Sequence, residues 1–294
     1  MTHKAGFVNI IGNPNVGKST LMNALVGEKL SIITSKAQTT RHRILGILNG
    51  EGFQIILSDT PGIIKTAYQL QTWMMDFVKS DFEDADVLIY MVEIGEKSLK
   101  NEDFFKQIQQ SKIPVLLLLN KIDNSDQETL DAQVEFWNGQ LPKAELIPIS
   151  ALNHFNIDTV LQRVIELLPE SPPFYPKDQL TDKPERFFVN ETIREKILLN
   201  YKKEIPYAVE VDTEEFFEDE HIIRIRSIIM VERETQKGII IGHKGTALKR
   251  VGIQARKDLE QFFGKQIHLD LYVKVNKNWR NNERQLRRFG YQQK

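Results

Sequence analysis

Gly12-Asn13-Pro14-Asn15-Val16-Gly17-Lys18-Ser19 fits the pattern G-x-x-x-x-G-K-[ST]. The apolar run Phe7 to Ile11 precedes it and reads as a buried strand; Thr20 to Val26 reads as the helix that follows. In that setting the backbone from Asn13 to Thr20 curls so that successive N–H groups face an anion, aided by the positive end of the helix. Lys18 can reach the outer phosphates of a nucleotide, and the Ser19 hydroxyl can ligate Mg²⁺. These residues point to a bound nucleoside triphosphate.

The 294 residues are enough for two domains, and 41% hydrophobic with 27% charged residues fits a folded soluble chain rather than a disordered one. The longest apolar stretches, Val87 to Val92 and Val115 to Leu119, are strand-length and too short for a membrane span. Phe7 to Ile11 is too short for the apolar core of a signal peptide, so a cytoplasmic location is expected. With no cysteine, the chain has no disulfides, thiolate metal sites or cysteine nucleophiles. The net charge of −1 hides an asymmetry, because residues 221–294 hold 17 basic against 6 acidic residues. Such a block suits a polyanionic partner; a merely solvated surface is the alternative.

Between residues 7 and 168, short apolar runs alternate with amphipathic stretches, the pattern of an α/β sheet. Strands are expected at 7–11, 44–48, 53–58, 87–92, 114–119 and 145–148, the second and third forming a hairpin across Asn49-Gly50-Glu51-Gly52. The remaining strands would run parallel, with ligands at their carboxyl ends. Asp59-Thr60-Pro61-Gly62 sits at one such end, where Asp59 can hold Mg²⁺ and the Gly62 N–H can meet a γ-phosphate. Asn120-Lys121-Ile122-Asp123 sits at another. The Asp123 carboxylate can accept from N1–H and the exocyclic amine of guanine, donors that adenine lacks, so GTP and GDP are favoured over adenine nucleotides. Ser150-Ala151 completes the base pocket, with a backbone N–H for guanine O6. Thr40 is the expected hydroxyl that joins Mg²⁺ beside the γ-phosphate, with Thr39 as the alternative. Lys18, Thr40 and Gly62 are thus the expected catalytic groups, and Ser19, Thr40 and Asp59 the Mg²⁺ set.

Segments 30–43 and 63–76 read as two switches that order around γ-phosphate and Mg²⁺. Trp73-Met74-Met75 in the second is either the inner face of a helix or a partner-binding patch. Ile63 follows the D-T-P-G motif where a water-orienting side chain would be useful. It can neither donate nor accept a hydrogen bond, so slow intrinsic hydrolysis is expected, near or below ~10⁻³ s⁻¹.

Pro169 to Pro176 stops the last helix of this region, and 171–184 is expected to be a semi-rigid linker between a nucleotide-binding domain, 1–170, and a second domain, 185–294. In the latter, Asn190 can cap a helix carrying Ile193, Ile197, Leu198 and Tyr201 on one face. Strands are expected at 207–212 and 222–233, split by an acidic loop from Glu214 to Glu220. Gly242-His243-Lys244-Gly245 then joins two helices, and a strand with Ile267, Leu269, Leu271, Val273 and Val275 on one face closes the region. A plain turn between helices is the alternative for the G-x-x-G segment. The tail carries Lys277, Trp279, Arg280, Arg284, Arg287, Arg288 and Tyr291, which can contact nucleic acid, or pack as a helix through Trp279, Leu286 and Phe289.

Together G-N-P-N-V-G-K-S, K-A-Q-T-T-R-H-R, D-T-P-G and N-K-I-D resemble the translation-factor-related GTPases and, within them, the bacterial Era family. The helix-strand-strand-helix-helix-strand order with G-x-x-G resembles the type II KH domain such proteins carry. The resemblance implies an α/β P-loop GTPase domain, with a mixed, mostly parallel sheet and helices on both faces, followed by an α+β type II KH domain. It implies that Gly242, His243, Lys244 and Gly245 clamp single-stranded RNA over an apolar floor of Ile240, Ile241 and Leu248, with Lys249, Arg280 and Arg287 adding charge. It further implies small-subunit ribosomal RNA near its 3′ end and the pre-30S particle as partners, with a role in 30S assembly. Peripheral contact with the inner face of the cell membrane is also implied. For Asn15 it implies a K⁺ ligand; shaping the loop is the alternative role. A monomer is the default expectation. A membrane-surface signalling GTPase and, behind it, a P-loop phosphotransferase are the competing functions.

Overall fold

The apolar runs of the first half become the strands of one sheet, as residues buried on both faces require. A computed structural model describes residues 3–291, which divide into two compact units, one of residues up to 67 with 71–182 and the other of residues 68–70 with those from 183 on. The first unit begins with β1 (Lys4–Gly12), α1 (Lys18–Val26), β2 (Ile44–Gly50), β3 (Phe53–Asp59) and α2 (Gln69–Asp84). It continues with β4 (Val87–Glu93), α3 (Glu102–Gln110), β5 (Val115–Asn120), α4 (Gln127–Gln140), β6 (Glu145–Pro148) and α5 (Ile157–Leu167). The sheet order is β2-β3-β1-β4-β5-β6, parallel throughout except for the β2–β3 hairpin. Val8, Ile10, Leu88, Ile89, Leu117 and Leu118 have no exposed surface, the signature of a parallel sheet covered on both faces. In α2, Met74, Met75, Phe77 and Val78 are buried at helical spacing, so Met74 and Met75 belong to the inner face rather than to a partner patch. Asp81 on that face accepts from Ser58 Oγ at 2.5 Å and from Arg43 at 2.7 Å.

Within the stretch 171–184 expected to be a semi-rigid linker, residues 174–182 run as a strip along the edge of the first sheet. Ile47 N–H donates to Leu180 O at 2.8 Å, and Leu45 N–H to Asp182 Oδ1 at 3.1 Å. The buried Gln54 accepts from the N–H groups of Phe174 and Tyr175 at 2.7 and 3.0 Å. The reason is that β2 is an edge strand whose outward N–H and C=O groups need partners, and the proline-rich strip supplies them.

The second unit comprises α6 (Glu185–Asn200), β7 (Glu210–Glu218), β8 (Ile222–Val231), α7 (Glu234–Ile241), α8 (Thr246–Phe263), β9 (Gln266–Val275) and α9 (Glu283–Arg288). β8 runs antiparallel to β7 and parallel to β9. Val189, Ile193, Ile225, Ile229, Val251 and Leu259 form its core. Three expectations need correction. α6 starts at Glu185, not at Asn190, because Pro184 presets the entry to the helix; the Asn190 side chain accepts from Thr213 Oγ1 at 2.6 Å. The acidic stretch is strand, not loop: β7 runs to Glu218, its glutamates held by Arg226 and by Lys265, the latter at 2.6 Å. The tail packs inward. Trp279 is fully buried with Nε1 donating to Ala208 O at 3.2 Å, and the buried Tyr291 hydroxyl donates to Glu210 at 2.7 Å. Neither ring is available to stack on a base. No described helix is long and apolar enough to cross a membrane.

Candidate functional site

Two glycines shape the phosphate loop by closeness of approach. A Cβ on Gly12 would lie 2.2 Å from Met91 O, and one on Gly17, at φ 106°, would lie 2.3 Å from Asn120 Nδ2. The loop therefore packs backbone-first against the ends of β4 and β5, and α1 begins beneath it. Pro14, Asn15, Gly17, Lys18, Ser19, Thr20, Thr40 and Gly62 line one cleft, with Ile32 to Thr34, Gln38 and Thr39 closing it. Val16 is buried, and the Asn13 side chain turns away from the cleft to bond Ser98 O and Lys100 N–H, each at 3.0 Å. For Asn13 the expected phosphate contact is thus left to the backbone.

Lys18 folds back over the loop, with Nζ donating to Asn13 O at 3.0 Å and Gly12 O at 3.2 Å. Burial pulls its pKa down to about 8, against the opposing pull of Asp59 and Glu96. A phosphate placed beside Nζ favours the ammonium, so binding raises the pKa and takes up a proton where the free protein is deprotonated. The Lys18 contribution to nucleotide affinity should be flat below pH 8 and fall above it, by up to about tenfold per pH unit. Calorimetry at pH 9 in buffers of different ionisation enthalpy should register the uptake, up to one proton; at pH 6.5 it should register none from this group.

Ser19 Oγ lies 2.7 Å from Asp59 Oδ2 and 2.9 Å from Thr40 Oγ1. Asp59 is fully buried, and burial raises its pKa against the hydrogen bond from Ser19. Its Oδ1 has no hydrogen-bond partner among the described residues. An all-oxygen set of two hydroxyls and a carboxylate, with a buried lone pair left over, fits a hard divalent cation. Thr39 is excluded from this set, because its hydroxyl bonds Thr34 Oγ1 and Lys36 O, both at 2.6 Å, and braces the switch segment itself. Gly62 approaches the loop so closely that a Cβ would lie 2.7 Å from Pro14 Cα. Ile63 is buried, and its N–H donates to Gly12 O at 3.2 Å. Asn15 takes φ 68° and donates from Nδ2 to Ser35 O at 2.8 Å, joining the loop to the first switch segment.

On the base side, Asn120 acts as a strut. Its Nδ2 donates to Val16 O at 2.7 Å and its Oδ1 accepts from the Ala151 N–H at 3.0 Å. The Ala151 N–H of the Ser150-Ala151 pair is thus engaged by Asn120 in this structure. Lys121, at φ 65°, pairs with Glu93. Ser150 Oγ donates to Asp123 Oδ1 at 2.5 Å and holds the exposed carboxylate.

In the second unit, Gly242-His243-Lys244-Gly245 forms a tight junction between α7 and α8, with His243 and Lys244 exposed. Gly242 is required there: at φ 71°, a Cβ would lie 2.6 Å from that of Ala247. A groove of about 460 Å³ opens beside the junction, lined by Leu248, Lys249, Gly252, Ile253 and Arg256 of α8 and by Ile267, His268, Leu269 and Leu271 of β9. Ile240 does not floor it. That side chain is fully buried in the core and its carbonyl accepts from Tyr201 at 2.6 Å; Ile241 is half-buried outside the groove lining. Arg280 is paired with Glu232, and Arg287 lies 3.8 Å from Glu283. Sequence reading missed Ile253 and Arg256. The available signal was Gly252, a glycine inside a helix at a cost of ~1 kcal/mol, which keeps the wall open opposite Leu271.

These features define a guanine-nucleotide switch domain followed by a nucleic-acid-binding fold. Family models described as "50S ribosome-binding GTPase" and "KH domain" match residues 7–121 and 204–280. GTPase Era of Geotalea daltonii is 44% identical over 290 residues, 98% of each chain. GTPase Era of Syntrophus aciditrophicus is 47% identical over 292 residues, 98% of this chain and 95% of that one. The crystal structure of Era in complex with MgGDPNP and nucleotides 1506–1542 of 16S ribosomal RNA superposes with a TM-score of 0.93 at 37% identity, covering 98% of this chain and 99% of that one. An Aquifex aeolicus Era variant bound to GDP and AlF4⁻ gives 0.93 at 38%, with the same coverage. The chain belongs to the Era family of GTPases.

Proposed function

We propose that this GTPase grips the 3′ segment of small-subunit ribosomal RNA in the α8–β9 groove and that its nucleotide state sets the strength of that grip during 30S assembly. The observation that carries the reading is the groove itself, apolar along its floor, cationic at Lys249 and Arg256, and bordered by the exposed Lys244. The near-complete likeness to Era solved with 16S RNA names the RNA. A single-stranded RNA of that 3′ sequence should bind more tightly with a non-hydrolysable GTP analogue than with GDP, and Lys244→Asp should abolish the difference. Equal binding in both nucleotide states would remove the coupling; no binding would remove the RNA. In that case flotation with anionic vesicles would test the alternative, a peripheral membrane partner. The working unit in this reading is a monomer in the cytoplasm.

Ser19, Thr40 and Asp59 would hold Mg²⁺, which would neutralise charge building on the phosphates. Lys18 supplies a second positive charge there, and the Gly62 N–H points the second switch at the γ-phosphate. With Ile63 buried, no side chain at that position orients the attacking water, so turnover is slow without help. Asn15 is the proposed K⁺ ligand, supported by its position between the phosphate loop and Ser35 O; turnover in KCl should then exceed that in NaCl. Thr40→Ala should weaken Mg²⁺-dependent binding of the GTP analogue about tenfold while leaving GDP binding nearly unchanged. Thr39→Ala should do neither, and titration with a fluorescent analogue distinguishes the two.

A further inference from the structure

The turn after β4, which no phosphate- or base-recognition motif includes, contacts both nucleotide-binding loops. Asn13 is buried inside the phosphate loop, yet its side chain is wholly committed to this turn. Its Nδ2 donates to Glu96 Oε1 and, at 3.0 Å, to Ser98 O, and its Oδ1 accepts from the Lys100 N–H at 3.0 Å. The other Glu96 oxygen accepts from the Glu93 N–H at 3.2 Å, and the Glu96 N–H closes the turn on Glu93 O at 3.0 Å. From the same turn, Glu93 pairs with Lys121, and the Ile94 N–H donates to Asn120 O at 3.0 Å. Asn120 in turn holds Val16 O. The phosphate loop is therefore fixed from beneath at two places, by Asn120 and by Glu96.

We propose that Glu96 is a positioning residue for nucleotide binding: through Asn13 it holds the phosphate loop, and through Glu93 it ties that loop to the base-reading Asn120–Asp123 segment. The inference rests on the chain binding guanine nucleotide. A carboxylate is otherwise unfavourable so near a bound triphosphate, and burial already raises the pKa of Glu96 against the hydrogen bond from Asn13. Its retention at this point is explained by geometry, since its two oxygens span the distance between Asn13 and the Glu93 backbone. The same charge also favours the ammonium form of Lys18 against burial.

Charge and bracing make opposite predictions, which separates them. In the full-length protein, Glu96→Ala leaves one of the two Asn13 Nδ2 hydrogens without its acceptor, and dissociation of a fluorescent GDP should accelerate about tenfold. Glu96→Gln keeps an acceptor and drops the charge, so its dissociation rate should stay within about threefold of the parent or be slower. Asn13→Ala also loses the bonds to Ser98 and Lys100, so it should be at least as fast as Glu96→Ala, and the double variant should be no faster than Asn13→Ala alone, as expected of one shared brace. Turnover of Glu96→Ala at saturating GTP should equal that of the parent, placing the effect on binding. Parental dissociation from Glu96→Ala, or additive rates in the double variant, would overturn the proposal. A lowered melting temperature with unchanged dissociation would also overturn it, as a purely structural role. If the parent protein itself failed to bind GDP, the nucleotide reading would fall first.

Discussion

Asp123→Asn should exchange guanine for xanthine as the preferred base. The Asp123 carboxylate is held by Ser150 at 2.5 Å and is otherwise open to accept from two guanine donors. A hydrogen bond to a charged group contributes about 1.5–3 kcal/mol and an unsatisfied donor costs about 1–3, so losing the bond to the exocyclic amine and facing it with an N–H would weaken GDP and GTP binding by about 10²–10⁴-fold. An asparagine offers one acceptor and one donor, which match the N1–H and the C2 carbonyl of xanthine. Ser150 can still donate to the new side chain, and the Asn120 strut is untouched, so the pocket keeps its shape. Competition of GDP and XDP for the variant is the measurement. Continued preference for GDP would mean that base selection lies elsewhere in the cleft.

Reversing the two cations of the α8–β9 groove should produce the largest loss on the RNA side. Lys249→Glu with Arg256→Glu should lower affinity for single-stranded RNA about a hundredfold or more at moderate salt. It should also flatten the dependence of log affinity on log salt by about 1.4, at about 0.7 per phosphate contact. Both side chains are exposed, so circular dichroism and melting should be unchanged. An unchanged salt slope would move the phosphate track off this groove. Ile253→Ser probes the apolar floor separately: it should weaken binding without changing the slope.

The phosphate loop, the proposed metal set and the proposed base-reading segment stood out in the sequence because each is a short motif at the end of an apolar run, where a parallel sheet must present its ligands. Ser19, Thr40 and Asp59 are up to 40 positions apart in the chain, yet β1 and β3 are adjacent and bring them within hydrogen-bond reach. What was illegible depended on which way a side chain turns. Asn13 belongs to the motif but serves the turn after β4, a partnership that spacing cannot reveal. Ile240 and Ile241 are consecutive in a helix, and only the packing of α7 decides that the first enters the core. Of the acidic run Glu214–Glu220 that read as a loop, the part to Glu218 is strand because its charges are compensated by Arg226 and Lys265 on other segments. The stretch at 171–184 read as a linker because its prolines were visible and the edge strand that 174–182 covers was not.

The pairing of β8 with β9 also bears on when the second unit can become active after synthesis. Ile223 pairs with Ile267 across the whole of α7 and α8, in parallel register, so the contact is non-local. Such pairing is slow to nucleate, because the loop must close before any contact rewards it. One wall of the groove is β9, and the buried Trp279 and Tyr291 lie beyond it in sequence. A chain emerging from its own ribosome can therefore complete the GTP-binding unit well before it can hold RNA. Premature capture of the transcript or of nearby ribosomal RNA is thereby limited by the order of synthesis alone.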